Sequence, residues 1–97
     1  MRARYTAVNV KPGMMDEFIK VYTESTVPVA MQQEGFKGAL LLTDADTNKT
    51  IVISMWESEE LMRAGENSGY YQDQIRKRAH LFDGETVREY FDISARA

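Results

Sequence analysis

The feature that most constrains this chain is a strand, predicted over residues 50–56, that is apolar on both of its faces. Because strand side chains alternate between faces, this strand divides into two sets: Ile51, Ile53 and Met55 on one face, and Val52, Ser54 and Trp56 on the other. The strand predicted over 36–43 is also apolar on both faces. A sheet with one face in water alternates apolar with polar residues, so both faces of this sheet need a cover.

The first half of the chain is predicted to form a strand, a helix and a hairpin. The strand at 4–10 ends at Lys11-Pro-Gly13, where proline lacks a backbone donor and glycine frees the turn. The helix begins at Met14 and carries an apolar stripe until Pro28 ends or kinks it. A polar turn at 44–49 then joins the two strands described above into a hairpin.

The second half is predicted to add two helices and a last strand. Ser58 caps a short helix, which Gly65 and the Asn67-Ser68-Gly69 cluster interrupt. Another helix runs from about residue 69 or 70 to about residue 80 and ends in basic residues, which suit a helix C-terminus. Asp83-Gly84 is predicted as a turn before the strand at 85–93.

The order βαββααβ predicts an α+β fold of the ferredoxin-like type, an antiparallel sheet with its helices on one face. Residues 1–97 are expected to form a single domain, because they contain no linker and no repeat. Helices on one face leave the other apolar face bare, and a large exposed apolar patch marks an interface. We therefore expect a homodimer through that sheet face. The alternative is that longer helices wrap the sheet.

Composition argues against several classes of function. The chain has 97 residues and a net charge of -3, whereas nucleic-acid binders carry a basic excess. It has no cysteine and one histidine, which argues against disulfides and against typical zinc or iron sites. No apolar run reaches the roughly 18 residues of a membrane span, and Met1–Tyr5 lacks the apolar core of a signal peptide. We expect no nucleic-acid or membrane partner, no bound metal and a cytoplasmic location.

Three short motifs add a family resemblance. They are Val10-Lys-Pro-Gly13, Glu34-Gly-Phe36 and Trp56-Glu-Ser58, and with the predicted elements they span nearly the whole chain. In this order and spacing the chain resembles the antibiotic biosynthesis monooxygenase (ABM) family of small dimeric α/β-barrel proteins. The resemblance implies that two sheets pair face to face in a dimer. It also implies one of three kinds of protein: an oxygenase that needs neither metal nor flavin, a haem-degrading enzyme, or a protein without established activity.

Trp56 is the residue on which this resemblance bears most. In the cofactor-free members a tryptophan in such a motif lies beside the substrate, which makes Trp56 a candidate substrate contact. Polar partners that those members place four residues before it and six after it are Val52 and Met62 here. In the haem-degrading members a helix histidine ligates iron, and that position is Ile75 here, so no cofactor is expected. Taken by itself, a tryptophan at this position serves equally well to close the core.

Seven side chains are candidates for a site. His80 is the candidate acid–base residue, because histidine ordinarily titrates near neutral pH, although a histidine at a helix C-terminus also interacts with the helix dipole. Tyr70 or Tyr71 is placed to orient a hydroxylated ring, and at most one of them is expected to face the sheet, since adjacent helix positions point in different directions. The candidate substrate contacts are Trp56, Tyr22, Ser54 and Arg88.

Two classes of function follow. The first is a monooxygenase that acts on a small phenolic or quinol-type aromatic without a bound cofactor, as the resemblance implies. The alternative is a non-catalytic module of the same fold that binds a small ligand or only dimerises. The Trp56 motif favours the first, and the apolar residues Val52 and Met62 favour the second. Arg88 fits either an anionic ligand or a partner carboxylate.

Overall fold

A computed structural model describes all 97 residues, Met1–Ala97, and shows a four-stranded sheet with helices on one face. The elements follow in the predicted order: β1 (Arg2–Val10), α1 (Met15–Val21), a π-helical turn (Tyr22–Thr26), α2 (Val27–Ala30), β2 (Phe36–Asp44), β3 (Lys49–Trp56), α3 (Glu59–Asn67), α4 (Tyr70–Arg78), a 3-10 turn (Ala79–Leu81) and β4 (Phe82–Asp92). The prediction of an α+β, ferredoxin-like fold is confirmed.

The sheet is antiparallel throughout, with the strand order β2-β3-β1-β4. Thr6 near the middle of β1 pairs with Val52 of β3 on one side and with Arg88 of β4 on the other, so these three side chains share a face. Because β4 is an edge strand, Arg88 reaches water, and its side chain is exposed. An arginine at this edge position is tolerated because its charge stays in water.

The predicted turn at Asp83-Gly84 is wrong, because both residues lie inside β4, which begins at Phe82. The β1–β4 register shifts there: Ala7 pairs with Val87, but Asn9 pairs with Asp83. Gly84 has a φ of 92°, which a bulge can use and a regular strand cannot. The glycine therefore bulges the strand without reversing the chain.

The helical region after β1 contains a widened turn that the sequence pattern did not predict. Regular α-helix ends at Val21, five residues follow in π-helical geometry, and Pro28 lies in the first turn of α2. A proline is tolerated in a first turn, because its missing N–H has no helical partner to lose there. The π turn directs Tyr22 and Thr26 into the space beneath the helices. Single π turns of this kind are frequent at functional sites.

The helix α3 begins as predicted and ends later than predicted. The Ser58 hydroxyl accepts a hydrogen bond from the Leu61 N–H at 3.2 Å, which confirms the cap. Gly65 does not interrupt the helix, which continues to Asn67. Instead, a Cβ at position 65 would lie 3.1 Å from the Trp56 ring, so the glycine allows the helix to approach the tryptophan. The other predicted interruption, the Asn67-Ser68-Gly69 cluster, is confirmed, since α3 ends at Asn67 and Gly69 has a φ of 96°.

The two faces of the sheet are covered differently. On the helix side a small core of buried residues packs between the sheet and α1: Val10, Met15, Phe18 and Leu81. On the opposite side four large apolar residues are 47–53% exposed: Leu40, Leu42, Val87 and Phe91. The helices thus do not wrap the sheet, and the alternative that they do is wrong. No helix of the chain is both long and apolar enough to cross a membrane.

Candidate functional site

A cavity lies between the helix side of the sheet and the helices, above the middle of the strands. Its volume is about 70 Å³, several times the ~10–15 Å³ that one water requires. The sheet contributes one wall, built from Arg4, Thr6, Ala39, Val52, Ser54, Trp56, Thr86 and Arg88. The helices contribute the other, built from Tyr22, Thr26, Val27, Ala30, Tyr70, Tyr71, Gln74, Ile75 and Arg78. Phe36 and Phe82, at the starts of β2 and β4, complete the lining.

Trp56 forms one end of this cavity and also closes the core. Its position is therefore compatible with both interpretations, a contact for a ligand and a core residue. Its side chain is fully buried, and its ring meets the edge of Phe36 at a centroid distance of 5.4 Å. The indole N–H donates to the Ser54 hydroxyl, two residues earlier on the same face of β3, at 3.0 Å. The N–H is therefore satisfied within the strand, and the ring offers a ligand an aromatic face.

Tyr70 and Tyr71 both line the cavity, so the prediction that at most one of them faces the sheet is wrong. Adjacent residues of a helix point about 100° apart. If the direction toward the sheet lies between the two, both side chains can reach the cavity. The Tyr71 ring lies 4.2 Å from the guanidinium carbon of Arg4 and 5.2 Å from that of Arg88. The two tyrosine rings meet edge to face at 6.5 Å. The first turn of α4 thus forms an aromatic roof over the strand arginines.

Arg4 is a buried cation that the sequence analysis did not identify. It is 7% exposed, and its only nearby carboxylate is Glu66 of α3, at 3.4 Å. Glu66 also accepts a hydrogen bond from the Tyr90 hydroxyl at 3.0 Å and pairs with Arg63 at 3.3 Å. Strand alternation could have indicated that Arg4 points inward, because the alternation places Arg4 on the same face of β1 as Thr6, Val8 and Val10.

Arg78 is the second buried cation that sequence reasoning missed. It is 9% exposed, it belongs to none of the five salt bridges of the chain, and its Nε has no hydrogen-bond partner. It was grouped with the basic residues that suit a helix C-terminus. Its spacing from Tyr71 and Gln74, seven and four residues earlier, places all three on one stripe of α4.

Gln74 joins α4 to the π turn. It is 3% exposed, and its Oε1 accepts hydrogen bonds from the hydroxyls of Ser25 at 3.2 Å and Thr26 at 3.0 Å. These bonds fix the helix stripe that carries Tyr71 and Arg78. The cavity wall is therefore held by polar contacts between two helical segments as well as by apolar packing.

Burial favours the uncharged form of three titratable side chains around the cavity, Tyr22, Tyr70 and Arg78. It raises the pKa of Tyr22 and of Tyr70 above the ordinary value of 10.0, and the neighbouring arginines offset this only in part. It lowers the pKa of Arg78 below its ordinary value. Tyr22 and Tyr70 are thus neutral donors and Arg78 is a cation at neutral pH. Neither a carboxylate nor a histidine is among the residues that line the cavity.

Six of the seven predicted site residues are brought together here: Trp56, Tyr22, Ser54, Arg88, Tyr70 and Tyr71. The seventh, His80, is exposed in the 3-10 turn after α4 and does not line the cavity. Of the three positions where the chain departs from the family pattern, Val52 and Ile75 line the cavity, and Met62 is fully buried behind it. Ile75 has no atom that can ligate iron.

Comparisons with known proteins agree with this architecture. A family model described as antibiotic biosynthesis monooxygenase (ABM) matches residues 1–77. Two uncharacterized proteins of Mycobacterium tuberculosis are 33% identical over 93 residues, which is 95% of this chain. The chain spans 38% of the length of these relatives, and the single domain over 1–97 stays a prediction.

Two solved structures show the same fold at low sequence identity. SnoaB of Streptomyces nogalater, a cofactor-independent oxygenase, has a TM-score of 0.83 at 18% identity and covers 98% of this chain and 94% of its own. A Bordetella bronchiseptica protein, assigned provisionally as an antibiotic biosynthesis monooxygenase, has a TM-score of 0.84 at 16% identity over 97% of both chains. At such identities the likeness establishes the fold alone.

Proposed function

The chain belongs to the antibiotic biosynthesis monooxygenase family, and on that premise we propose that it oxidises a small phenol or quinol with molecular oxygen, without a bound metal or flavin. The observation that carries this proposal is the make-up of the cavity. Three arginines and five aromatic side chains besides Tyr22 line it, and it contains no side chain that ordinarily serves as a base. Such a site favours the ionised form of a phenol and shields it from water.

The arginines supply the ionisation step in this proposal. An opposite charge within about 4–6 Å lowers the pKa of an acid by roughly 1–3 units, and a phenol ordinarily has a pKa of about 10. Burial keeps Tyr22 and Tyr70 protonated although Arg4 is near both of them. A bound phenol whose oxygen lies between Arg4 and Arg88 has a second cation beside it, and in this proposal it loses its proton to water near neutral pH. His80 is not needed as the proton acceptor, and its position outside the cavity does not suit that role.

The oxidation then balances without another reductant. The phenolate gives an electron to oxygen, and the pair combines to form a carbon–oxygen bond para to the phenolic oxygen. Loss of water breaks the oxygen–oxygen bond, so phenol and O2 yield quinone and H2O. The substrate itself supplies all the electrons. In this scheme Trp56 and Tyr22 hold the ring, Tyr70 and Tyr71 donate hydrogen bonds to substrate oxygens, and Ser54 keeps the Trp56 ring in place.

Oxygen uptake by the purified protein tests the proposal. We expect hydroquinones or hydroxyanthrones to consume oxygen faster with the protein than without it. A hydroxyanthrone should take one atom of 18O2 into its quinone, whereas a hydroquinone, which already carries oxygen at the para carbon, should give its quinone and H2O2. Tyr71→Phe is expected to lower kcat/KM by about 10- to 100-fold, since a hydrogen bond to a charged group is lost. Tyr5→Phe, on the other face of the sheet, is the matched control and should leave the rate unchanged. Equal losses in both variants would refute the assigned role of Tyr71.

The second candidate is a non-catalytic module that binds a small aromatic ligand. The apolar side chains of Val52 and Met62, where the oxygenases of the family place polar partners, favour it. Fluorescence separates the two, because Trp56 is the single tryptophan and reports only on the cavity. Saturable quenching by a quinol that causes no oxygen uptake supports the binding module.

We also propose that the chain is a homodimer through the open face of the sheet. Support comes from Leu40, Leu42, Val87 and Phe91, which are about half exposed in the single chain. An apolar patch of this kind marks an interface. Sedimentation equilibrium at micromolar concentration is expected to give twice the mass of 11.1 kDa, and a single-chain mass would contradict this proposal.

A further inference from the structure

Arg78 is a buried cation without an anion. It is 9% exposed, its Nε has no hydrogen-bond partner, and no carboxylate lies within 4.0 Å of its guanidinium. A buried charge is ordinarily paired, because leaving water costs more than packing returns. Arg78 faces the cavity. We propose that it is the anchor of a carboxylate subsite, so the ligand of this cavity is an aromatic carboxylic acid; this deepens the proposed function by naming its substrate class.

The charge balance of the cavity supports an anionic ligand. The lining holds three arginines and no acid, although the whole chain carries a net charge of -3. Glu66 stands just behind the wall and is shared by Arg4, Arg63 and the Tyr90 hydroxyl. Its one charge is therefore divided between two cations, and none is left for Arg78 or Arg88. Arg88 is exposed to water, so a ligand with one negative charge pairs the buried cation that remains, Arg78.

Contacts with aromatic rings do not replace that anion. The guanidinium carbon of Arg78 lies 6.0 Å from the centroid of Phe18 and 5.9 Å from that of Tyr22. These distances are at the outer limit, about 6 Å, at which a cation benefits from a ring face. The rings position the guanidinium and leave its Nε–H without an acceptor. Its planar fork matches the two oxygens of a carboxylate.

The rest of the cavity suits the aromatic part of such a ligand. Trp56 and Tyr71 offer ring faces, and Val52 supplies an apolar floor between them. A neutral ligand would leave Arg78 unpaired, and a cation would be repelled by all three arginines. A carboxylate on the ligand thus explains why Arg78 lies in the cavity, since binding of an aromatic ring alone does not require a cation there.

Binding of a matched acid and amide tests the subsite. The probes are 4-hydroxybenzoate and 4-hydroxybenzamide, which share a ring and a shape, and only the first is charged at pH 7. In isothermal titration calorimetry with the full chain we expect the acid to bind about 10- to 100-fold more tightly, the range for a charge-assisted hydrogen bond. Equal affinity, or tighter binding of the amide, overturns the proposal.

Paired variants test whether Arg78 is the anchor. Arg78→Met keeps the length of the side chain and removes its charge, and it should abolish the preference for the acid while the free protein melts at the same or a higher temperature. Arg76→Met is the matched control, because Arg76 is exposed on the same helix and pairs with Asp73. It should retain the preference. An Arg78→Met variant that still prefers the acid overturns the proposal.

A measurement on the unaltered chain covers the case in which Arg78→Met does not fold. The Arg78 Nε–H resonance is followed by NMR during titration with each probe. A shift with 4-hydroxybenzoate but not with 4-hydroxybenzamide supports the subsite, and no shift with the acid overturns it.

These outcomes differ from those that test the oxygenase. If the acid binds through Arg78 and no quinol consumes oxygen, the carboxylate subsite stands and the oxygenase proposal fails. If methylhydroquinone, which is uncharged, is oxidised as efficiently as 2,5-dihydroxybenzoate, the oxygenase stands and the subsite fails.

Discussion

The covered and the open face of the sheet come from the same four strands and carry opposite chemistry. The covered face presents Arg4, Thr6, Ser54 and Arg88 around an enclosed cavity. The open face presents Tyr5, which packs edge to face on Phe91 at 6.3 Å, and the half-exposed leucines of β2. An ordinary two-layer protein hides apolar side chains and exposes polar ones. Here the covered face carries the polar side chains that line the cavity, and the open face carries the apolar side chains that we propose form an interface.

The largest effect is expected from a charge on the open face. Leu42→Lys places an ammonium where the proposed partner sheet packs, and burying an unpaired charge costs several kcal/mol. We expect dimer dissociation to become at least ~10³-fold easier, as measured by sedimentation equilibrium. Met31→Lys is the control, since Met31 is 68% exposed and lies at the end of α2, away from the sheet. If both variants dissociate equally, the open face is not the interface.

A smaller effect is expected behind the covered face. Glu66→Gln keeps the shape of the side chain but leaves Arg4 without its ion pair, and breaking a buried pair costs about 3 kcal/mol. The variant should unfold at lower urea concentration. It should also bind 4-hydroxybenzoate more tightly, because the cavity becomes more positive. Weaker binding of the acid would show that Glu66 organises the cavity more than it neutralises it.

A substitution where α3 closely contacts the covered face, Gly65→Ala, should lower the free energy of unfolding by about 1 kcal/mol. In Gly65→Ala the new methyl group meets the Trp56 ring at 3.1 Å. Overpacking costs roughly 1–3 kcal/mol, and the gain of about 1 kcal/mol in helix propensity offsets part of it. Urea unfolding followed by tryptophan emission measures both the lower midpoint and a shifted spectrum. An increase in stability would mean that the Trp56 ring moves away from the new methyl group at little cost in free energy.

The smallest effect is a dependence of stability on alkaline pH. Burial raises the pKa of Tyr22 and of Tyr70 above 10.0. Below pH 10 both phenols are protonated in the folded and unfolded chains, so their contribution is fully present. Above it the unfolded phenols ionise first, the folded state binds more protons, and stability falls by up to about 1.4 kcal/mol per pH unit for each tyrosine. In urea unfolding between pH 9 and 11, Tyr22→Phe should reduce this slope, and an unchanged slope contradicts the assignment.

The comparison of the faces also explains what could be predicted from the sequence. Strand alternation is a local signal with a period of two, and it assigned Val52, Ser54 and Trp56 to one face correctly. The Ser58 cap is equally local. The glycine predictions failed because Gly65 and Gly84 serve contacts with other elements: one with the Trp56 ring, the other with the shifted register of β1.

The two arginines that the sequence analysis missed show the same limit for the candidate site, because their burial depends on contacts between elements that are distant in the sequence. Arg4 and Arg78 lie 74 positions apart in the sequence and line the same cavity only because α4 folds over β1. Strand alternation and helix spacing place each of them on an inward-facing stripe, but their residue type favours a solvated surface and outweighs that signal. The sequence identified the aromatic part of the cavity through Trp56, Tyr70 and Tyr71, and could not reveal its charge.

The π turn at Tyr22–Thr26 has a consequence for how this fold can change over generations. Removing one residue from it would let α1 run on into α2 as a regular helix, with better hydrogen bonding than the chain has now. The deletion would also rotate one helical segment by about 100° relative to the other, and Tyr22 and Thr26 would no longer both point into the cavity. A descendant with that deletion would keep the sheet and the helices and give up the pocket. The cavity and the architecture are thus separable here by a single codon.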